Sequence, residues 1–211
     1  MTNVLILDSA ATGEASVSRR LTRELAETVQ RRQPRARIVR RDIGAAPIPH
    51  LTEATVPAIR AGIVETEAAR QALELSDGLI AELQEADLIV IGAPMYNFGM
   101  PSTLKAWFDH VLRARITFRY TEAGPEGLIK GKKAIVIETR GGLYSEGPGA
   151  AMDSQEPHIR TLLGFIGIDD VTFVRAEKLA AGPEAAAEAI ADAAGRLDRL
   201  AGEELALPLA A

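Results

Sequence analysis

Short apolar runs alternate with stretches of helical periodicity along this chain. The apolar runs occupy residues 4–7, 88–91, 134–137 and 171–174, and a shorter, more polar run at Ile38-Val39 is typical of an edge strand. Between them, apolar residues recur at helical spacing, as at positions 104, 107, 108, 111 and 112. Five strands that alternate with helices predict a parallel sheet covered on both faces. We therefore predict a doubly wound α/β fold with five parallel strands in the order 2-1-3-4-5.

The remaining helices are predicted from the same spacing. They include Leu21, Leu25 and Val29; Ala69, Ala72, Leu79, Ile80 and Leu83; Ile159, Leu162, Leu163 and Ile166; and a stretch from Pro183 through Leu200. Pro101 suits the first turn of the helix that follows the third strand. Because no repeat or linker divides the chain, we expect one domain over residues 1–211. The predicted strand order reverses between strands one and three, so the loops after strands one, three and four should meet in one crevice.

Composition narrows the classes of function. The 211 residues are 47% hydrophobic, which is enough for one full core, and the formal net charge is -5. This charge offers no basic surface for nucleic acid or for an anionic membrane. Cysteine is absent, and His50, His110 and His158 lack the spacing of metal ligands, so we expect neither disulfides nor a metal site. With no apolar stretch near the about 20 residues of a membrane helix and no cationic leader, we expect a cytoplasmic protein.

The first loop leads from Asp8 into the first helix and carries hydroxyl groups. Ser16 and Ser18 lie at or just before the helix start, where unpaired N–H groups and the positive end of the helix dipole favour an anion such as phosphate. The alternative is that one of these serines is only a helix N-cap. The chain has neither the Walker pattern of a nucleoside triphosphate site nor the Gly-x-Gly-x-x-Gly pattern of a dinucleotide site.

The second loop, Pro94 to Phe98, follows an entirely apolar strand. Open α/β sheets hold ligands in the loops at the carboxyl ends of such buried strands. Met95, Tyr96 and Phe98 are flat or apolar, and Asn97 is the one amide among them. This surface suits a planar, partly polar molecule, although the same residues could instead belong to the core or to an interface.

The third loop, Thr139 to Tyr144, follows the fourth strand of the sheet. Gly141 and Gly142 allow close backbone approach, and their N–H groups together with Thr139 can pair with acceptors on a flat heterocycle. Arg140 could help to stabilise a reduced, anionic ring; the alternative is an ordinary Gly-Gly turn with a solvated arginine. A phosphate site after strand one and ring contacts after strands three and four describe a mononucleotide with a large planar ring. Flavin mononucleotide (FMN) fits that description best.

Four longer segments are specific enough to indicate a family. They are Ala-Pro-Met-Tyr-Asn-Phe at 93–98, Phe-Arg-Tyr-Thr-Glu-Ala-Gly-Pro-Glu-Gly at 118–127, Thr-Arg-Gly-Gly at 139–142 and Leu-Gly-Phe-Ile-Gly at 163–167. In these segments, and over nearly its whole length, the chain resembles the FMN-dependent NADH-azoreductases, a quinone-reductase family with the flavodoxin-like fold.

The resemblance implies an FMN site and a homodimer with its two flavin pockets at the subunit interface. The implied phosphate contacts are Ser9, Ser16, Val17 and Ser18, and the other cofactor contacts are Pro94, Met95, Tyr96, Asn97, Phe98, Thr139, Arg140, Gly141 and Gly142. Two residues depart from the family pattern. Ala10 stands where a second hydroxyl is expected beside the phosphate, and Leu162 stands where an aromatic residue is expected to line the substrate pocket.

A segment with alternating apolar residues precedes a Gly-Pro turn. In it, Ile116, Phe118 and Tyr120 are separated by polar residues. We expect this segment to form a flap over the flavin, so that Phe98 and Tyr120 enclose flat substrates; the alternative is a hairpin folded on its own core. No acid or base residue is needed beside these two aromatic residues.

The resemblance also implies the reaction. NADH or NADPH, both of which are compatible with these motifs, gives hydride to the flavin. A quinone or an aromatic azo compound then enters the same pocket and takes up the electrons. Azo compounds are thereby cleaved to amines. Two other functions stay open at this point. One is a flavodoxin-like electron-transfer protein without small-molecule turnover, and the other is phosphodiester hydrolysis at the Ser16–Ser18 turn, where a metal cluster and a general base are lacking.

Overall fold

The computed structural model describes residues 2–206, so residue 1 and residues 207–211 of the predicted 1–211 domain lie outside the described residues. The strands are β1 Asn3–Asp8, β2 Arg37–Asp42, β3 Leu88–Pro94, β4 Phe118–Thr121, β5 Gly124–Gly127, β6 Lys133–Thr139 and β7 Asp170–Ala176. Five of them form a parallel sheet in the order β2-β1-β3-β6-β7, and β4 and β5 form an antiparallel hairpin. Counted along the chain, the main sheet has the predicted order 2-1-3-4-5, with the polar strand β2 at an edge.

Helices cover both faces of the sheet. They are α1 Val17–Arg32, α2 Val56–Ala61, α3 Glu67–Glu85, α4 Ser102–Val111, α5 Glu156–Ile166 and α6 Pro183–Ala206. The short helix α2 is not predicted by the periodicity, because six residues span less than two turns. Pro101 stands immediately before α4 rather than in its first turn. None of the helices between residues 2 and 206 combines the length and the apolar character that crossing a membrane requires.

Alternate residues of the central strands face opposite layers of helices. Leu5 and Leu7 pack in the layer that contains α3, α4 and α5. Val4 and Ile6 pack in the layer that contains α1 and α6. Burial on both faces explains why residues 88–91 form an unbroken apolar run in the sequence.

The strand register brings the ends of the strands to one side of the sheet. Asp8 is paired with Gly92, and Pro94 is paired with Thr139. We call this side the carboxyl edge. Since the sheet is parallel, the loops that follow β1, β3 and β6 all leave from it.

Candidate functional site

Hydrogen bonds join the three loops at the carboxyl edge. The N–H of Ala11 in the first loop donates to Tyr96 Oη in the second loop (3.1 Å). The N–H of Met95 donates to the carbonyl of Thr139, where the third loop begins (2.9 Å). The loops after β1, β3 and β6 therefore meet, as the sequence predicts.

The first loop presents the start of α1. Ser16 is the N-cap: its Oγ accepts from the N–H of Arg19 (3.3 Å) and lies 3.0 Å from Ser18 Oγ. Within the described chain, nothing accepts a hydrogen bond from the N–H of Val17 or Ser18. Capping and anion binding are thus compatible here. Both serines are buried, and since only one of the two hydroxyls donates in their mutual contact, the other keeps its hydrogen for an anion.

Ser9 does not offer its hydroxyl to the crevice. Its Oγ is fully buried and donates to the carbonyl of Gly92 in the neighbouring strand (2.6 Å). Ala10 is also buried, and its carbonyl oxygen would lie only 2.0 Å from a Cβ at Gly44. The sheet itself uses that donor here, so this hydrogen bond does not favour the side-chain contact expected for Ser9, which stays a prediction.

The second loop is a tight two-residue turn. The N–H of Tyr96 donates to the carbonyl of Gly99 (2.9 Å), and the N–H of Gly99 donates back to the carbonyl of Tyr96 (3.1 Å). The two central residues, Asn97 and Phe98, have φ of 48° and 69°. Positive φ at both positions is the geometry of a type I′ turn, which is costly for phenylalanine. Phe98 is 45% exposed, so the turn holds an aromatic ring out of the core in a strained conformation, as functional sites often do.

The third loop turns its carbonyl groups inward. The carbonyls of Arg140, Gly141 and Gly142 accept hydrogen bonds from the segment that follows β7, at 3.1, 3.0 and 2.9 Å. The N–H groups of Gly141 and Gly142 have no acceptor among residues 2–206. These two N–H groups are free to donate to a ligand, and their contact with a flat heterocycle stays a prediction.

Arg140 is not solvated, and its side chain is not free to reach a ligand. The guanidinium is fully buried and is surrounded by four acceptors: Glu138 (2.6 Å), Asp153 (3.0 Å), Glu177 (3.2 Å) and Gln155 (3.2 Å). Its backbone N–H is bonded to the carbonyl of Ala176 (2.9 Å). These contacts hold the third loop from below and do not favour the expected role of Arg140 beside a reduced ring, which stays a prediction. Among the described residues, no three or more histidine, cysteine, aspartate or glutamate side chains are grouped so that they could hold a metal ion.

Glu138 is the unusual carboxyl of this cluster. It is fully buried at the end of β6, and its Oε1 has no hydrogen-bond partner in the described structure. Burial raises the pKa of Glu138 to about 8, although the charge of Arg140 acts in the opposite direction. Burial therefore favours the protonated form of Glu138 to a higher pH than for an ordinary glutamate.

Glu177 connects the cluster to the loop beyond Gly142. Its Oε1 accepts from the N–H groups of Tyr144 (2.8 Å) and Ser145 (3.0 Å), and its Oε2 accepts from Ser145 Oγ. Burial alone would raise the pKa of Glu177, but these hydrogen bonds and Arg140 outweigh burial and lower it. Glu177 is thus an ionised acceptor that holds two successive backbone N–H groups.

Comparison with known proteins identifies the family. A family model described as having a flavodoxin-like fold matches residues 2–201. An FMN-dependent NADH:quinone oxidoreductase of Hyphomonas neptunium is 54% identical over 95% of this chain and 96% of its own. This protein belongs to the FMN-dependent NADH:quinone oxidoreductase family. A second member, from Pseudomonas aeruginosa, is 48% identical over 93% of this chain and 92% of its own.

Solved structures agree with this family. An azoreductase from Bacillus anthracis superposes with a TM-score of 0.86 at 29% identity, covering 96% of this chain and all of the other. The fold is shared further with an FMN-dependent NADH-azoreductase from the same species, solved in complex with FMN, at a TM-score of 0.88 and 24% identity, over 97% of this chain and 99% of the other.

Tyr120 lies apart from the three loops of this family member. The hairpin packs against the end of α5: the rings of Phe118 and Phe165 are 4.6 Å apart, and a Cβ at Gly127 would lie 2.1 Å from the N atom of Gly167. The 11 residues of α5 span about 16 Å from the carboxyl edge. Tyr120 itself is 73% exposed. The hairpin therefore does not cover the crevice of the same chain. Its residues Phe118 and Gly127 pack on the core beside α5, as in the alternative of a hairpin folded on its own core.

The sequence analysis assigns no role to three residues of this region: Glu138, Tyr144 and Glu177. Glu138 carried a signal, because a carboxyl at the end of the apolar run 134–137 needs a buried partner. Glu177 and Tyr144 carried none, since they are 33 residues apart and meet only through the pairing of β6 with β7.

Proposed function

We propose that this protein is an FMN-dependent NAD(P)H oxidoreductase that reduces quinones and cleaves the azo bonds of aromatic azo compounds to amines. One observation carries the proposal. Four backbone N–H groups without acceptors in the described chain, at Val17, Ser18, Gly141 and Gly142, lie at the same edge of the sheet as the exposed ring of Phe98. The names of the close relatives support the same activity.

The phosphate end of FMN fits the start of α1. The N–H groups of Val17 and Ser18 and the hydroxyls of Ser16 and Ser18 are neutral donors at the positive end of a 16-residue helix. Such a helix start favours an anion without a salt bridge. Ser9 is left out of this set because its hydroxyl is used within the sheet.

The ring end fits the second and third loops. Gly141 and Gly142 offer N–H groups to the carbonyl and nitrogen acceptors of the ring, and Thr139 adjoins them. Pro94, Met95, Tyr96, Asn97 and Phe98 supply the apolar and aromatic surface for the ring faces. We propose no cofactor contact for the guanidinium of Arg140, whose role is to hold the third loop from below.

When bound, FMN supplies the site that accepts hydride from the nicotinamide and passes the electrons to the acceptor. The residues of this chain bind and orient the reactants. We propose that Phe98, which its strained turn leaves exposed, stacks on flat substrates. We propose no acid or base residue. NADH or NADPH is the donor, and a cytoplasmic location stays a prediction.

We propose further that the protein is a homodimer in which the hairpin of each chain covers the crevice of the other. Tyr120 projects from a hairpin that packs far from its own three loops. The exposed side chains of Ile116, Tyr120 and Met152 add apolar surface of the kind found at interfaces. We expect a dimer mass in solution. Tyr120→Ser should raise the KM for a quinone and leave the FMN content unchanged.

The direct test is titration of the apoprotein with FMN, followed by anaerobic addition of NADH and then of a quinone. We expect one FMN per chain at micromolar concentration, bleaching of the flavin by NADH, and recovery of its colour by the quinone. Failure to bind FMN would overturn the proposal. A flavin that NADH does not bleach would favour the electron-transfer protein instead.

A matched pair of N-cap variants tests the phosphate end. Ser16 and Thr66 each cap a helix with the side-chain oxygen. Ser16 Oγ accepts from the N–H of Arg19 at 3.3 Å, and Thr66 Oγ1 accepts from the N–H of Ala69 at 3.1 Å. Ser16→Ala and Thr66→Ala should each cost about 1 kcal/mol of stability. Only Ser16→Ala should weaken FMN binding, by about fivefold, as expected for the loss of one neutral hydrogen bond. Equal FMN affinity in both variants would place the phosphate elsewhere.

A further inference from the structure

Tyr144 joins the second and third loops through its ring. The ring lies edge-to-face with Phe98, with centroids 6.0 Å apart. It also lies over the third loop, since a Cβ at Gly142 would be 3.1 Å from three of its atoms. Tyr144 therefore touches both loops to which we assign the ring of FMN.

The backbone beneath this ring is held by one carboxylate. Glu177 accepts hydrogen bonds from the N–H of Tyr144 and from both the N–H and the hydroxyl of Ser145. Glu177 is itself anchored by Arg140 Nη1 at 3.2 Å. A continuous set of contacts thus runs from the fully buried guanidinium to the ring of Tyr144.

A third contact fixes the same corner. The carbonyl of Phe98, at the strained turn, accepts from the N–H of Ser154 (3.0 Å), close in sequence to the buried side chain of Gln155. Gln155 in turn accepts from Arg140 Nε through its Oε1 (3.2 Å) and donates to the carbonyl of Ala93 (2.8 Å). The buried guanidinium therefore supports both neighbours of the Tyr144 ring.

We propose that Tyr144 forms a wall of the pocket for flat acceptors, and that Glu177 is the positioning residue that keeps this wall against Gly142 and Phe98. The inference rests on the proposed function, because it takes the crevice between the second and third loops as the place of the ring. A half-buried aromatic ring with a polar tip suits planar acceptors that carry carbonyl or azo groups. Glu177 acts only through the backbone of the loop.

Two substitutions of Glu177 separate positioning from charge. Glu177→Gln keeps an oxygen acceptor for both N–H groups, whereas Glu177→Ala removes it. We expect Glu177→Ala to raise the KM for a quinone about five- to tenfold with kcat changed less than twofold, and Glu177→Gln to stay within about twofold in both. The visible circular dichroism of the bound flavin should change in Glu177→Ala and not in Glu177→Gln.

Glu156→Ala is the matched control. Glu156 is a carboxylate of the same region with a similarly lowered pKa, but its hydrogen bonds go to Arg160 and Arg175 and not to the loop of Tyr144. It should lose stability without a change in quinone KM or flavin dichroism. Tyr144→Leu should reproduce the KM effect of Glu177→Ala without disturbing the charge cluster, and it carries the test should Glu177→Ala fail to fold.

Parental values in Tyr144→Leu for both quinone KM and flavin dichroism would overturn the role of Tyr144. Parental values in Glu177→Ala, or equal changes in Glu156→Ala, would overturn the role of Glu177. Titration of the parent protein with FMN is run alongside. Because a parent that does not bind FMN contradicts the proposed function itself, the two failures are distinguishable.

Discussion

Two clusters of charged side chains lie at the carboxyl edge, one beneath each end of the proposed FMN site. The first-loop cluster consists of Asp8, Arg19, Thr22, Arg40 and Asp42, and the third-loop cluster consists of Glu138, Arg140, Asp153, Gln155 and Glu177. In the first-loop cluster each carboxylate has its own guanidinium, with Arg40 Nε 2.6 Å from Asp8 Oδ2 and Arg19 Nη2 2.7 Å from Asp42 Oδ1. In the third-loop cluster one buried guanidinium serves all three carboxyl groups and also lies 4.0 Å from Glu156, and the only other cation near Glu138 among the described residues is Arg175, at 3.8 Å.

The difference shows that burial and the sharing of a cation together decide the direction in which the pKa of such an acid shifts. The hydrogen bond from Arg19, helped by backbone N–H groups, lowers the pKa of Asp42. Glu138 shares its cation with other acids and is fully buried, so burial dominates and its pKa rises. A carboxyl group beside an arginine therefore has a lowered pKa under the phosphate end and a raised pKa under the ring end.

Removing the shared cation should have the largest effect. Arg140→Leu leaves several acids without their cation in a buried place, and we expect it to cost about 3–5 kcal/mol of the unfolding free energy. Arg40→Leu is the matched variant in the first-loop cluster. Its side chain is 32% exposed, so water can replace it near Asp8 and the loss should be smaller. Urea unfolding of the apoprotein at pH 7 measures both, and equal losses would remove burial as the distinction between the clusters.

Glu138→Gln should remove part of the loss of stability that the parent shows as pH rises. The carboxyl holds its proton in the folded protein up to about pH 8 but loses it near its ordinary value of 4.5 on unfolding. The parent therefore loses stability as pH rises between these values, and the loss levels off above about 8. Relative to the parent, Glu138→Gln should gain up to about 1.4 kcal/mol per pH unit in this window. A constant difference from pH 5 to 8 would show that Glu138 is ionised in the folded state.

Asp42→Asn should change the pH dependence of stability in the opposite direction to Glu138→Gln. Because the folded pKa of Asp42 lies below its ordinary value of 3.8, the stabilisation is present above that value and is lost as pH falls below it. We expect a cost of about 1–2 kcal/mol at pH 7 that shrinks toward zero in acid. Unfolding curves from pH 2.5 to 7 measure it. A cost that grows in acid would contradict the ion pair with Arg19.

The smallest effect concerns the turn that lies between the two clusters. Phe98→Gly removes the left-handed strain that Phe98→Ala retains at φ of 69°. The glycine variant should therefore be more stable than the alanine variant by about 1 kcal/mol, since left-handed backbone costs a residue with a Cβ that much. Both variants lose the ring and should raise the quinone KM alike. An alanine variant as stable as the glycine variant would mean that the turn relaxes and stores no strain.

Local pattern was sufficient for the fold and for the outline of the site. The apolar run at 88–91 predicted a central strand, and the short run Ile38-Val39 between arginines predicted an edge strand. Consecutive residues show this difference because a strand buried on both faces is apolar at every position. The helix start at Val17 and the glycines at 141 and 142 predicted where free N–H groups lie, because these depend on backbone geometry over a few residues. The alternation of elements then placed all three loops at one edge.

Only the tertiary structure decided where the polar side chains point. Ser9 donates its hydroxyl hydrogen to the carbonyl of Gly92, 83 residues away, and Arg140 turns inward to Glu177, which directly follows the neighbouring strand β7. Tyr120 lies near the carboxyl-terminal end of α5, whereas the crevice that its motif predicted lies at the other end of that helix. A buried polar group takes whichever partner the packing of distant segments brings within hydrogen-bond distance, so no local pattern specifies it.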